Sequence, residues 1–144
     1  MELDQIIKPG MSKEEVFLVE ERHSALHVGS GSVRVLATPW MIGFMERVCQ
    51  RLLAEHLPQG YSSVGVRVDV QHLAPAPVGS QVRVRGEILS LDGSKVNFQV
   101  EAWDGEEQIG AGQHQRVVID EARFLRRVAA KLEKRHNESG AGNA

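Results

Sequence analysis

A chain of 144 residues with 42% hydrophobic and 25% charged content suits one domain with a proper core. Seventeen basic residues against nineteen acidic ones give a net charge of -2, which argues against a nucleic-acid-binding or membrane-surface protein. The single cysteine, Cys49, excludes an internal disulfide and offers no cysteine metal cluster. No apolar run approaches a transmembrane length, and the start M-E-L-D-Q lacks the basic and apolar stretches of a signal peptide, so the expected location is cytoplasmic.

Residues 1–13 form a polar lead-in with Pro9-Gly10, and 1–10 are expected to be loosely attached. A short β-like run, Val16 to Val19, lies within Glu14 to Arg22. His23 to Ser32 reads as loop, most mobile at Gly29-Ser30-Gly31-Ser32 and placed to act as a lid over a pocket. Val33 to Leu36 makes a brief strand before the longest helix, which spans Leu36 to Leu57. There Thr38 is the expected N-cap and Pro39 the first helical residue. Trp40, Met41, Phe44, Met45, Val48, Cys49, Leu52 and Leu53 recur at three and four, an apolar face broad enough to be wrapped by other elements.

Two residues interrupt that helix. Gly43 costs about 1 kcal/mol against Ala in a helix interior, which suggests that a backbone or a ligand comes close to it. Glu46 has two readings: a carboxylate on the polar face beside Arg47 and Gln50, or one held in a pocket for chemistry. From the helix alone the first has the advantage, because charged side chains are seldom buried without a partner.

Pro58-Gln59-Gly60 stops the helix. Ser62 to Leu73 then alternates as a strand, with Val64, Val66, Val68 and Val70 on one face and Gly65, Arg67, Asp69 and Gln71 on the other. Continued alternation puts His72 on the valine face, near the helix. Taken alone it reads as a structural histidine bonded to a backbone carbonyl; Glu46 in the same chain raises a functional reading. Ala74 to Gly79 is an extended turn. Residues 80–119 form an antiparallel meander with one apolar face, turned at Asp92-Gly93 and Asp104-Gly105. Asp120 caps a last helix, Glu121 to Lys134, with Phe124, Leu125, Val128 and Leu132 on one side and a basic, solvated face opposite. Residues 137–144 have no apolar cluster and are expected to be disordered.

The layout is α+β: an antiparallel sheet curled around a long central helix, with a C-terminal helix, in one domain over 1–144. A sheet this small leaves an edge that a second copy can pair with. Three stretches carry a resemblance: A-T-x-x-M-x-G-x-M-E from Ala37 to Glu46, V-G-V-x-V-x-V-x-H-L-A-P-A-P-V-G from Val64 to Gly79, and W-D-G-x-x-x-I-G-x-G-x-H-x-R from Trp103 to Arg116. Over roughly residues 10 to 130 the chain resembles hotdog-fold acyl-CoA thioesterases of the fluoroacetyl-CoA thioesterase type.

That resemblance puts Thr38, Glu46 and His72 on catalytic positions and Gly65 on a backbone position lining the acyl pocket; Gly43 and Arg116 are the other expected substrate-binding residues. It implies no metal and no cofactor other than the CoA of the substrate. It also implies a homodimer, or a dimer of such dimers, with sites at the interface. Thr38 and Glu46 are eight residues apart, about 12 Å along a helix axis, so they form no direct pair on one helix and a shared site is expected. Val28 to Ser32 carries no bulky aromatic to close over a very small acyl group, so a short- or medium-chain acyl-CoA other than fluoroacetyl-CoA is the expected substrate.

Glu46 suits a general base or a nucleophile, His72 a proton carrier, and the Thr38 hydroxyl a group that orients water or carboxylate. The chain lacks a G-x-S-x-G elbow, a P-loop and a dinucleotide fingerprint. His23 and His27 show no third zinc ligand, His114 reads as an exposed or interface histidine, and Cys49 as a small buried hydrophobe. The rival function is a non-catalytic acyl-CoA or acyl-carrier binding module of the same fold, for which a carboxylate in the apolar helix face has no use.

Overall fold

The computed structural model describes the backbone of residues 1–142 and side chains up to residue 139. Short helix α1 (Leu3–Ile6) leads into strand β1 (Ser12–Leu18), a 3-10 turn (Glu21–His23), helical turn α2 (Ala25–Val28) and the long helix α3 (Thr38–Ala54). Strands β2 (Tyr61–His72), β3 (Gln81–Asp92), β4 (Lys95–Asp104) and β5 (Glu107–Asp120) follow, then helix α4 (Glu121–Gly142). The strands make one antiparallel sheet in the order β1-β3-β4-β5-β2.

The meander follows the alternation of its residues. Val82, Val84, Ile88, Val96, Phe98, Val100, Ala102 and Ile109 are all buried. They face Met41, Phe44, Met45, Val48, Cys49, Leu52 and Leu53 of α3, buried in turn. The sheet therefore wraps the helix. Where β3 passes beneath α3 there is no room for a side chain: a Cβ at Gly86 would lie 2.9 Å from Cys49 Sγ. Burial pushes the Cys49 thiol up to about 12, so it is an inert core residue. Both hairpins turn on a glycine with positive φ, Gly93 at 60° and Gly105 at 61°, as two-residue turns require.

Several local expectations are corrected. Residues 1–10 are not a loose lead-in: Ile7 is fully buried, Leu3 nearly so, and the Gly10 amide donates to the Ile88 carbonyl. Two apolar side chains gained by the core outweigh the polar composition around them. Val33 to Leu36 forms no strand; Leu36 and Val35 make single bridges to Ser24 and Pro77. Two helical turns occupy part of the expected loop 23–32. The long helix ends at Ala54 and its N-cap is Ala37, not Thr38, which is the first helical residue.

The largest correction concerns β2. Its pairing with β5 shifts between Gly65 and Arg67, so Val66 is bulged out of register. A bulge inserts one residue and reverses the faces beyond it. Gly65 lies opposite Arg116, and past the bulge Val68 lies opposite His114 and His72 opposite Gly110. Gly65, Val68, Val70 and His72 thus share the helix side, and the four valines do not share one face. β2 is also an edge strand, with Val66 52% and Val68 39% exposed.

At the other end of β5, the Asp120 carboxylate accepts from the Arg123 amide, the cap expected for the last helix. That helix continues to Gly142, so 137–142, expected to be disordered, are helical, while 143–144 lie outside the described residues. Its apolar side is uncovered within one chain: Leu125, Val128 and Leu132 are 55%, 48% and 67% exposed. No helix among the described residues is long and apolar enough to cross a membrane.

Candidate active site

Thr38 and His72 meet at the N-terminal end of α3. The Thr38 Oγ1 lies 2.8 Å from His72 Nδ1. Three backbone contacts put them there. The Ala37 amide donates to the His23 carbonyl, the Leu36 amide to the Ala76 carbonyl, and the Leu73 amide to the Ile109 carbonyl. They pin the helix start between the 3-10 turn and the crossover that follows β2. Freed from capping, the Thr38 hydroxyl turns to the imidazole.

The other imidazole nitrogen of His72, Nε2, is buried and makes no well-formed hydrogen bond among the described residues, with the Ala74 backbone beside the ring. Burial pushes the His72 pKa down, with the Ala74 backbone opposing the shift, so the neutral ring is favoured. An open cleft of about 390 Å³ adjoins the pair, lined in part by Ser30, Val35, Thr38, His72 and Pro75. The segment Leu26 to Arg34 beside it is exposed and carries no Phe, Tyr or Trp.

Glu46 sits two turns further along α3, at a second corner. Its side chain is 43% exposed, and Oε2 lies 4.0 Å from Arg116 Nη1. Arg116 is buried at 5% exposure. Its Nε donates to Ser63 Oγ at 2.9 Å, its Nη2 to the Ser63 carbonyl at 3.0 Å, and its Nη1 to His114 Nε2 at 3.1 Å. Burial pushes the guanidinium pKa down, yet from so high a starting value that it remains a cation. Gly65 floors this corner. A Cβ there would stand 3.1 Å from His114 Cε1, 3.2 Å from Glu46 Oε2 and 3.4 Å from Arg116 Nη1.

Of the six sequence-derived site residues, Thr38 is thus joined to His72, and Glu46, Gly65 and Arg116 are gathered at one corner. Among the described residues of one chain no hydrogen bond joins the two groups, as the helix geometry requires. Gly43 stands apart. A Cβ there would meet nothing nearer than Trp40 Cε3 at 3.9 Å, so the expected close approach of a backbone does not occur within the chain. His114 is the residue that sequence reading missed. Expected as an exposed or interface histidine, it is 2% exposed, because Val68 and Phe98 flank it on the strands either side. The missed signal was β5 itself, an interior strand between β4 and β2 on which the inward His114, Arg116 and Val118 are all buried.

Comparison with known proteins bears on the fold and the family. A family profile described as fluoroacetyl-CoA-specific thioesterase matches residues 19–122. The fluoroacetyl-CoA thioesterase of Streptantibioticus cattleyicolor is 39% identical over 97 residues, which is 67% of this chain and 70% of that protein. A mutant fluoroacetyl-CoA thioesterase solved with acetyl-CoA superposes with a TM-score of 0.81 at 32% identity, covering 87% of this chain and 98% of the other. A hot-dog-like protein from Thermanaerovibrio acidaminovorans reaches 0.84 at 24% identity, covering 91% and 97%, and bears on the fold alone. The profile spans both corners of the site, from before Thr38 to beyond Arg116. With the helix-wrapping antiparallel sheet already established, the chain belongs to the fluoroacetyl-CoA-specific thioesterase family and is a hotdog-fold thioester hydrolase.

Proposed function

We propose that the protein hydrolyses a short- or medium-chain acyl-CoA thioester to the free acid and CoA at a site shared between two copies of the chain. The observation that carries this is the hydroxyl–imidazole pair Thr38–His72 at one corner and the carboxylate–guanidinium pair Glu46–Arg116 at another. Each corner is half of an acyl-transfer site. The exposed β2 edge is the surface on which a second β2 would pair, bringing one chain's Glu46 corner to its partner's Thr38–His72 corner.

In this reading Glu46 activates the attacking group, as base toward water or as nucleophile itself. His72 carries the proton, and the Thr38 hydroxyl orients the ring. Arg116 and the N-terminal end of α3 put positive potential where the tetrahedral oxyanion forms. Gly65 leaves room for the acyl carbon beside them. The thiolate of CoA is a good leaving group, so no strong general acid is needed, and the reaction uses no cofactor beyond the CoA that the substrate brings. The small, polar 28–32 segment leaves the cleft open to chains longer than fluoroacetyl.

The test is hydrolysis of acyl-CoAs of increasing chain length by the wild type, Glu46→Gln and His72→Ala. The expected result is turnover with a preference above two carbons that collapses in both folded variants. Acyl-CoA binding without turnover in the wild type would replace the hydrolase with a binding module.

A further inference from the structure

His114 takes no part in the mechanism above, yet it is buried in the middle of the Glu46 corner. Its two nitrogens have unlike partners. Nδ1 lies 2.8 Å from the carbonyl of Arg67, the residue that follows the β2 bulge. A carbonyl only accepts, so Nδ1 carries the hydrogen. Nε2 lies 3.1 Å from Arg116 Nη1. A guanidinium only donates, so Nε2 offers its lone pair. Both bonds are satisfied together in one state of the ring alone: neutral, with the hydrogen on Nδ1.

We propose that His114 is a positioning residue that holds the Arg116 guanidinium toward Glu46 by accepting from Nη1 while donating to the backbone carbonyl of the β2 bulge. The inference rests on the hydrolase reading above for its kinetic consequence, though not for its geometry. Arg116 is gripped at three points, by Ser63 through Nε and Nη2 and by His114 through Nη1. The Ser63 bonds fix the near edge of the fork. Nη1 is the nitrogen that reaches Glu46, and His114 is what holds it. The other neighbours suit this role: Phe98 of β4 lies with its ring centroid 6.2 Å away, inclined by 27°, and competes for neither nitrogen. The charged groups facing the ring are Glu46 from α3 and Arg116 from β5, and burial with Arg116 beside it opposes a second proton.

The same geometry gives the bulge a purpose. Without the extra residue at Val66, the β2 backbone would present a different face at this level. The bulge sets the Arg67 carbonyl against Nδ1 and, one step earlier, Gly65 against Arg116.

A double-mutant cycle tests the proposal. His114→Phe keeps the ring and loses both bonds, and is expected to lower kcat/KM on the order of tenfold, mostly in kcat. His114→Gln, whose amide oxygen supplies an acceptor, is expected to retain most of the activity at a similar Tm. Arg116→Lys keeps the charge but not the fork, and in that background His114→Phe is expected to cost nothing more. An equal loss in both backgrounds would overturn the proposal.

Nitrogen-15 spectra of the histidine rings provide a readout independent of turnover and of whether His114→Phe folds. His114 is expected as the neutral Nδ1–H tautomer in the wild type, with an Nε2 shift that moves in Arg116→Lys. A charged ring, an Nε2–H tautomer or an unmoved shift would equally overturn it. An inactive wild type with the expected spectra would count against the hydrolase reading and leave the positioning contact standing.

Discussion

The Thr38 hydroxyl lies 2.8 Å from His72 Nδ1, although 34 residues separate them in the chain. One is the first residue of the central helix and the other the last residue of the edge strand. Thr38 caps nothing, since Ala37 occupies the N-cap position, and its side chain is available for chemistry.

Removing that hydroxyl should therefore separate activity from stability. Thr38→Ala is expected to lower kcat/KM on the order of a hundredfold while changing the unfolding free energy by less than about 0.5 kcal/mol, as for exposed positions. Thr38→Ser is expected to keep most of the activity. Steady-state kinetics beside urea titrations read both quantities. A large stability loss in Thr38→Ala would mean that the residue caps the helix after all.

Mixing inactive variants tests the shared site. Equimolar Thr38→Ala and Glu46→Gln subunits, unfolded together and refolded, are expected to recover about a quarter of wild-type activity, since half of the pairs carry one intact composite site. Recovery at background level would place the whole site within one chain. In the same experiment Val66→Lys, which sets a charge on the 52%-exposed edge, is expected to sediment as a monomer and to lose turnover.

Gly65→Ala probes the second corner. The new methyl would stand 3.1 to 3.4 Å from His114, Glu46 and Arg116, two of which are held by hydrogen bonds. The expected outcome is about 1–3 kcal/mol of overpacking cost and a fall in kcat/KM larger than that stability loss explains. Unchanged kinetics would remove Gly65 from the acyl pocket.

His23 makes stability depend on pH. It is 4% exposed, its ring edge-on to Trp40 and Phe44 at 4.4 and 5.1 Å, and its Nδ1 accepts the Glu20 amide at 3.0 Å. Burial pushes its pKa below the ordinary imidazole value of 6.5. Above 6.5 neither folded nor unfolded chain carries the proton, and the contribution is intact. As pH falls below 6.5 the unfolded chain takes the proton first, so stability declines, by at most about 1.4 kcal/mol per pH unit for each such histidine. The decline ends once the folded pKa is passed. His72 and His114 shift the same way and for the same first reason, burial. Urea unfolding from pH 7.5 to 5 should show the slope, and His23→Gln should reduce it without abolishing it. A slope of the opposite sign would contradict the buried neutral ring.

Elements were legible wherever the signal was local. The 3.6-residue recurrence from Met41 to Leu53, the alternation from Val82 to Ala102 and the glycine turns at 93 and 105 depend on neighbours in sequence, and they defined the wrapped helix and the meander. The residue patterns around Thr38, Glu46, Gly65, His72 and Arg116 were readable for the same reason, because each is a short stretch of chain. The tertiary structure alone decided what those residues touch. The bulge at Val66 arises from how β2 registers on β5, and no alternation within β2 foretells it. Ile7 was drawn into the core and His114 beneath Arg116 by strands distant in sequence. Burial and register are properties of the packed sheet, where contacts across tens of residues override local composition.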